Sequence, residues 1–595
     1  MESVPYAAPK PEQLLAIARA YLPVPSLTGR LYFASDMAGL SQVYRLDGPD
    51  RFPVRLAPSQ DRVLPVAETP LGLLVRRDRG GDELWQLGLL DGRGGFRQVS
   101  SDPKAIHREP RLSPDGRRVG LAYNPGGQAD WVLAVLDLES GEMQPWLDLG
   151  GYWTWLAWSE DGAKAVVAQL QSPLRSKAFL LSADGELRPL LSRARQVAAA
   201  RWTNGRLLAL ADLEREYVGL VEVDQEDPDR IRRRLVDEDR DVEAVVPDPE
   251  GRRLAVVVNE GALDSVRVLS SETGEEEWRA RLPKGLVYSD NSTDAAQHLA
   301  WSPDGGRLFV AWESPTAPAE IYELPSGTRW TRASGDPIDG LVTPEQVSYR
   351  SFDGIEVPAL HYRTAAVGAS RAAVVLFHGG PEGQSRANFN PIIAMWNAAG
   401  FDVLAPNVRG STGYGAHYDS LDDRELRWDS VRDGCEAGRW LKATGQAERL
   451  VAMGGSYGGF MTLAVLVEDP SLWDAAVDVV GIADWHSFFR NTSGWRRSVR
   501  AAEYGEPEGP DGEFLAEFSP LRRAHRIRAN LLVIHGRNDV RVPVSEAAQI
   551  HDAVPGSELM IFDDEGHGIL RHANRVRAYG RALAFVRERL GEAPP

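Results

Sequence analysis

Two architectures in succession are predicted from this chain: an all-β N-terminal part made of seven repeated strand-and-turn units, and a C-terminal α/β part with a mostly parallel sheet. Three observations predict them. A turn glycine recurs with a period in the mid-forties between Gly29 and Gly305. After Thr343-Pro344 the texture changes to apolar strands, glycine-rich loops and helices in alternation. Between them, the last two hundred residues contain a strand-turn-helix with Gly-Gly-Ser-Tyr-Gly-Gly at its turn. At 595 residues the chain has room for several units of about 150 residues each.

In chain order, Pro11 stands at a helix start, and Leu14, Leu15, Ala18 and Tyr21 recur at helical spacing, so a helix is predicted over 11–21 with Pro23 and Pro25 ending it. From Leu27 to about residue 335 the strands are short and punctuated by turns. The repeat is counted from Gly29, Gly72, Gly116, Gly162, Gly205, Gly251 and Gly305, which are 43, 44, 46, 43, 46 and 54 residues apart. Each unit carries a second strand downstream, as in Trp131 to Asp137 before Gly141 and Ser265 to Leu269 before Gly274. Pro-Asp-Gly and Asn-Gly are hairpin chemistry, because glycine accepts positive φ at the turn. A period in the mid-forties with several strands per unit is that of a β-propeller blade, so seven units predict a seven-bladed β-propeller. The second unit, at Gly72, is poorly marked. A sandwich of unrelated hairpins is the competing reading, and the regular period argues against it.

In the C-terminal part, Ala372 to Phe377 reads as a buried strand ending at His378-Gly379-Gly380-Pro381, and Phe401 to Ala405 as another. A helix around Cys435 to Leu441 follows, then strands at Leu531 to His535 and Glu558 to Phe562, and a closing helix from about Asn574 to Leu590. Arg449 to Ala464 is a short apolar run, a Gly-Gly-Ser-Tyr-Gly-Gly turn and a segment of helical character. This is the G-x-S-x-G pattern that lifts a serine, here Ser456, clear of a sheet on a strained turn. Its glycines at 454 and 458 leave room where helix and strand approach. A glycine-rich turn with a capping serine is the alternative, and context decides between them.

The context is a nucleophile, an acid and a base in chain order, each after a strand. Asp539 follows the strand ending at His535, and His567, flanked by glycines, follows the strand ending at Phe562. His567 is expected to take the proton of Ser456 and return it to the leaving group, with Asp539 holding the imidazole tautomer. Asp563 and Asp564 lie too close to His567 in sequence to be the acid. His535, His551 and His572 are read as satisfied or solvated histidines. For the oxyanion, the backbone N–H of Tyr457 and that of Gly380 are the expected donors, with Gly379 as the alternative, since Pro381 has no N–H. His378 is read as orienting that loop. These features together predict an α/β-hydrolase domain.

Composition excludes other classes. Lysine and arginine number 67 against 85 acidic residues, a net charge of −18, so no broad cationic face is implied for nucleic acid or anionic lipid. The one cysteine, Cys435, excludes an intramolecular disulfide and reads as a small buried hydrophobe. Residues 1–6 lack a basic segment followed by an apolar run, and no later run approaches a membrane span, so a soluble cytoplasmic protein without a membrane partner is expected. No His-Glu-x-x-His or comparable cluster appears, so neither a metal nor a cofactor is expected. Self-association into a homo-oligomer stays open.

On His378-Gly379-Gly380-Pro381, Asn407-Val408-Arg409-Gly410-Ser411-Thr412-Gly413-Tyr414-Gly415, Gly454-Gly455-Ser456-Tyr457-Gly458-Gly459 and Asp539-Val540-Arg541-Val542-Pro543, the chain resembles the prolyl oligopeptidase family of serine peptidases, and within it most the acylaminoacyl-peptidase branch. The resemblance implies three parts: residues 1–24 as an N-terminal helical extension packing on the hydrolase domain, 25–340 as the propeller and 341–595 as the catalytic domain. It implies short peptides as substrates, Arg541 near the substrate backbone, and a specificity pocket at Gly481 to Phe489, where Trp485, Phe488 and Phe489 would receive an apolar side chain. A structural ion pair for Arg541 and a packed cap for the aromatics remain the alternatives. The Tyr-Glu-Glu setting by which dipeptidyl aminopeptidases of the family hold a free amine is not found in the propeller, which weakens that reading. Three function classes stay open: a serine peptidase, an esterase or amidase using the same triad, and a propeller scaffold with an idle hydrolase domain.

Overall fold

The computed structural model describes residues 10–290, 294–335, 337–366 and 370–592. Seven antiparallel sheets succeed one another along residues 20–55, 62–98, 106–147, 152–190, 197–236, 242–279 and 286–329, six of four strands and the last of five. The first strands of blades 1, 2 and 3 and the strand Leu299–Trp301 of blade 7 line a common cavity of about 720 Å³, which marks the propeller axis. The glycines of the first six units sit at the turn between the first and second strands of a blade, and Gly305 at the turn between Leu299–Trp301 and Leu308–Ser314 of blade 7, all with φ between 66° and 129°. In three blades the turn is built alike: the hydroxyls of Ser113, Ser159 and Ser302 accept from the N–H groups of Arg118, Lys164 and Arg307, each at 2.9 Å. This is the physical content of the Ser-x-Asp-Gly repeat.

The helix expected over 11–21 is a single turn, Pro11–Leu14. Ala20–Pro25 is instead the first strand of blade 1, where Ala20 and Tyr21 pair with Ser35 and Ala34, and Val24 and Pro25 with Tyr32 and Leu31. Pairing with Leu31–Ser35 and burial against blade 7 override the helical spacing of these apolar residues. Leu14 packs with Phe389 and Ala394, and Leu15 joins the core under the helix His572–Leu590, so residues 10–15 lie on the hydrolase part while 20–25 lie in the propeller. Residues 1–9 of the expected extension fall outside the described residues. Among the described residues each blade pairs only its own strands, and the ring closes where Ala20, Tyr21 and Leu22 pack against Phe309, Ile321 and Trp330 of blade 7.

The C-terminal sheet has eight strands, in the order Glu345–Arg350, Glu356–Tyr362, Asp402–Pro406, Ala372–Phe377, Arg449–Gly455, Ala475–Val479, Asn530–Gly536 and Glu558–Phe562. The first two are antiparallel additions and the rest pair in parallel. Strand alternation divides the core in two. Leu450 and Ala452 face a cluster with Val431, Cys435 and Phe460, while Val451 and Met453 face one with Trp396, Ala582 and Phe585. Both faces are covered by helices, as a parallel sheet requires. Cys435 is fully buried in the helix Arg427–Ala443, and burial pushes its thiol pKa up, away from reactivity. No described helix is long and apolar enough to cross a membrane.

The propeller meets the hydrolase part through polar contacts around its rim. Arg195 holds Asp419 with two bonds of 3.0 and 3.2 Å, Arg386 holds Glu243, the N–H of His417 reaches Glu216 at 2.7 Å, and that of His572 reaches the carbonyl of Gly39 at 2.9 Å. Trp495 and Val499 add an apolar contact, packing with Trp131 and Tyr152 of blades 3 and 4, so the boundary is mixed rather than wholly polar.

Candidate active site

Ser456 stands between the strand Arg449–Gly455 and the helix Tyr457–Glu468 with φ 60° and ψ −120°. A non-glycine residue in this region costs on the order of 1–3 kcal/mol, and here the surroundings impose it. Its N–H reaches the carbonyl of Val479 at 2.9 Å, and its own carbonyl accepts from Phe460 at 3.0 Å. The neighbouring glycines are steric necessities: a Cβ on Gly454 would overlap the carbonyl of Gly458, and one on Gly458 would overlap that of Phe377.

The three residues expected to act together are brought together. His567 Nε2 lies 2.9 Å from Ser456 Oγ, and its Nδ1 lies 2.7 Å from Asp539 Oδ2. The other carboxylate oxygen of Asp539 accepts from the N–H groups of Arg541 and Val542 at 2.8 and 2.9 Å, which fixes its plane. Burial alone would raise the Asp539 carboxyl, yet His567 and His535 beside it hold it well below the usual carboxylate range, so it stays ionised. His567 is also shifted down, but for a different reason: burial lowers its pKa, partly opposed by Asp539. His535, read from sequence as an ordinary strand-end histidine, is wholly buried behind the acid. Its Nε2 is 2.9 Å from the carbonyl of Val542 and 3.5 Å from Asp539 Oδ2.

The loop after Ala372–Phe377 faces the serine. A Cβ placed on Gly379 would lie 3.6 Å from that of Ser456, so the backbone at 379–380 borders the nucleophile. Tyr457 opens its helix, and its N–H has no intrahelical acceptor ahead of it, as an oxyanion donor requires. His378 is engaged by both ring nitrogens, 2.9 Å from Ser411 Oγ and 2.9 Å from the carbonyl of Gly379. The Asn407 to Gly415 stretch braces this loop. Asn407 bonds both backbone groups of Ser385, and Arg409 is held in a two-pronged pair with Asp433 at 2.8 and 2.9 Å.

The substrate candidates divide. Trp485, Phe488 and Phe489 are 1%, 2% and 4% exposed and pack with Phe460 and Tyr504 in the hydrolase core. Tyr504 leads from them to the oxyanion loop, its hydroxyl 3.4 Å from the carbonyl of Gly380, so these aromatics back that loop. Arg541 points across the domain boundary to Glu83 of blade 2, at 2.7 Å. Both line a cavity of about 240 Å³ with Trp85, Arg108 and Trp495. That cavity shares Arg76, Glu109 and Gln297 with the larger one on the propeller axis, so the two adjoin. Glu83 went unread in the sequence; its only signal was the doubled glycine Gly80-Gly81 just before it.

A serine on a strained strand-to-helix turn, a histidine and a buried aspartate, in that chain order on a mostly parallel sheet, define a serine-nucleophile α/β-hydrolase. Residues 387–593, about a third of the chain, match the prolyl oligopeptidase family. Dipeptidyl peptidase family member 6 of Caenorhabditis elegans is 31% identical over 231 residues, covering 37% of this chain and 31% of that protein, so the aligned stretch spans about a third of that relative's length. The puromycin hydrolase structure superposes with a TM-score of 0.82 at 22% identity over 98% of this chain and 96% of that one. An acylaminoacyl peptidase in complex with Z-Gly-Gly-Phe-chloromethyl ketone gives 0.71 at 18% identity, over 98% of each chain. The likeness to these two structures carries the fold: a seven-bladed propeller followed by an α/β-hydrolase domain.

Proposed function

We propose that this protein is a serine peptidase that hydrolyses short peptides through an acyl-enzyme, acting as an acylaminoacyl-peptidase-like exopeptidase. The observation that carries the reading is the continuous hydrogen-bonded line from Ser456 through His567 to Asp539. Ser456 Oγ attacks the scissile carbonyl as His567 Nε2 takes its proton. The oxyanion is received by the N–H groups of Tyr457 and Gly380, and His567 returns the proton to the leaving amine. Water then repeats the sequence on the ester. The family match supports peptides over simple esters as the natural class. A blocked peptide bound by a structural neighbour supports an acylated N-terminus. Residues 1–24, 25–340 and 341–595 are the proposed functional divisions, with the first boundary moved back to residues 16–19 because Ala20–Pro25 is the first strand of blade 1. The deciding experiment sets acyl-amino-acid anilides and short peptides against simple alkyl esters and identifies the products by mass spectrometry. Faster turnover of alkyl esters than of every peptide overturns the peptidase reading in favour of an esterase, and release of free-amine dipeptides moves it to the dipeptidyl class of the C. elegans relative.

The pH dependence follows from the two shifted groups. The reaction needs neutral His567, which exists above its pKa, so kcat/KM is lost as pH falls through that value. Burial places that value below the ordinary imidazole range of about 6.5, and Asp539 stays ionised throughout. A single rising limb with its midpoint on the acidic side of neutrality is expected. A rate that climbs on acidification towards pH 4 points to another base.

The propeller covers the hydrolase face, and the hydrolase sheet is already buried by its own helices, so the propeller is assigned to substrate access. Entry passes along the axial cavities or through a gap opened by hinge motion at the polar rim. A peptide of a few residues is expected to be cleaved at least a hundredfold faster than the same sequence held in a stably folded protein. Comparable cleavage of both removes the gating role.

A further inference from the structure

Blade 2 touches both catalytic loops. Its second strand, Gly72–Asp78, runs into Arg79-Gly80-Gly81-Asp82-Glu83-Leu84-Trp85 before the third, Gln86–Leu90. This loop is braced from within. Asp82 Oδ1 accepts from the N–H groups of Leu84 and Arg79 at 3.0 and 3.3 Å, and the carbonyl of Trp85 accepts from the N–H of His107 at 3.1 Å. The Trp85 ring lies against the guanidinium groups of Arg76 and Arg62, 4.5 and 5.4 Å from its centre.

At the tip, three glycine backbones stack. A Cβ on Gly81 would stand 2.5 Å from the nitrogen and 2.9 Å from the Cα of Gly566, the residue before His567. A Cβ on Gly566 would overlap the carbonyl of Gly81, and one on Gly536, three residues before Asp539, would overlap the carbonyl of Gly566. Asn538, next to Asp539, donates through Nδ2 to the carbonyls of Gly80 and Asp563 at 3.0 and 3.1 Å. Two residues past Gly81, Glu83 holds Arg541.

From this stack we infer that the blade-2 loop 79–85 is a positioning element of the active site, which seats the acid loop and the base loop against each other so that the propeller supplies part of the catalytic geometry. Asp539 and His567 lie on loops beyond the strand ends, where no sheet ladder fixes their separation. The loops are tied to each other by the N–H of Asn538 on the carbonyl of Glu565 at 3.0 Å, and both also rest on the propeller backbone, at Gly80 and Gly81. A displacement of about 1 Å in such a constellation costs about a hundredfold in rate. Glu83 adds charge as well as contact: His567 is faced by the carboxylates of Asp539 and Glu83 and by the guanidinium of Arg541, with Arg496 behind Glu83 and Arg541, and His535 behind Asp539. The inference rests on the serine-hydrolase reading of Ser456, and its test separates the two.

The test uses the full chain carrying Gly81→Ala or Glu83→Gln. It measures kcat and KM on the best peptide, the rate at which a fluorophosphonate labels Ser456, and thermal unfolding. Gly81→Ala, whose Cβ must push the His567 loop away and whose φ of 80° strains an alanine, is expected to lower kcat and the labelling rate together by ten- to a hundredfold, with KM changed less than threefold and the unfolding midpoint lowered while the protein still folds. Glu83→Gln removes an anion that favours protonated His567, so the acidic limb of kcat/KM moves to lower pH, which a packing role alone would not produce. Folded Gly81→Ala protein labelled at the unaltered rate overturns the inference. Should Gly81→Ala not fold, Glu83→Gln decides, and an unmoved limb with unchanged kcat overturns it. Failure of the unaltered protein to be labelled at all, or labelling that survives Ser456→Ala, sinks the underlying reading of Ser456 instead.

Discussion

Ser456→Ala is expected to abolish turnover of every substrate, by about a millionfold in kcat, while the protein unfolds within about 2 °C of the unaltered chain. On the proposed mechanism the hydroxyl is the atom that forms the acyl bond, and the one cysteine, Cys435, is buried in the hydrolase core with its thiol pKa pushed up. The backbone at 456 is held by its bonds to Val479 and Phe460, which alanine retains, so the elbow keeps its shape. Steady-state assay on the best peptide, with circular dichroism and a melting curve, reads both halves. A folded variant that keeps more than a thousandth of the rate removes Ser456 as the nucleophile.

His567→Ala is expected to lose nearly as much, because a nucleophile and its base act as a unit and the second removal costs little once the first is made. The double variant with Ser456→Ala therefore sits at the level of either single one. Asp539→Asn is a distinct case. The carboxylate accepts from the N–H groups of Arg541 and Val542 and from Nδ1 of His567, so an amide keeps the geometry but presents a donor to one of these partners. The imidazole then turns to the wrong tautomer, and a loss of about ten thousandfold is expected. Losses under tenfold for both histidine and aspartate variants, in proteins that still fold, mean that another pair of residues does this work.

Much of this protein is local, and what is local was legible. The blade count was readable because each blade repeats one hairpin turn near its start, and such a turn needs a residue that accepts positive φ. The meeting of Ser456, Asp539 and His567 was readable because each follows its own strand at a parallel sheet's carboxyl edge. The strands of the hydrolase sheet were readable as apolar runs because both their faces are buried.

What depends on a distant partner was not. Residues 16–21 carry helical spacing, and only the strand Leu31–Ser35 beside them and blade 7 across the ring turn them into blade 1. Trp485, Phe488 and Phe489 look equally well like a pocket or a core until the chain places Phe460 and Tyr504 against them. His535 became a neighbour of the acid only when the strand end curled back on Val542. The meeting of Gly81 with Gly566 and of Glu83 with Arg541 joins residues more than four hundred positions apart. No periodicity spans that separation. Repeats, turns and strand-end motifs are written in near neighbours, so the sequence by itself determined the two architectures and the order of the triad. Which propeller loop rests on which catalytic loop is set by rigid-body packing of two finished domains, and only the tertiary structure decided it.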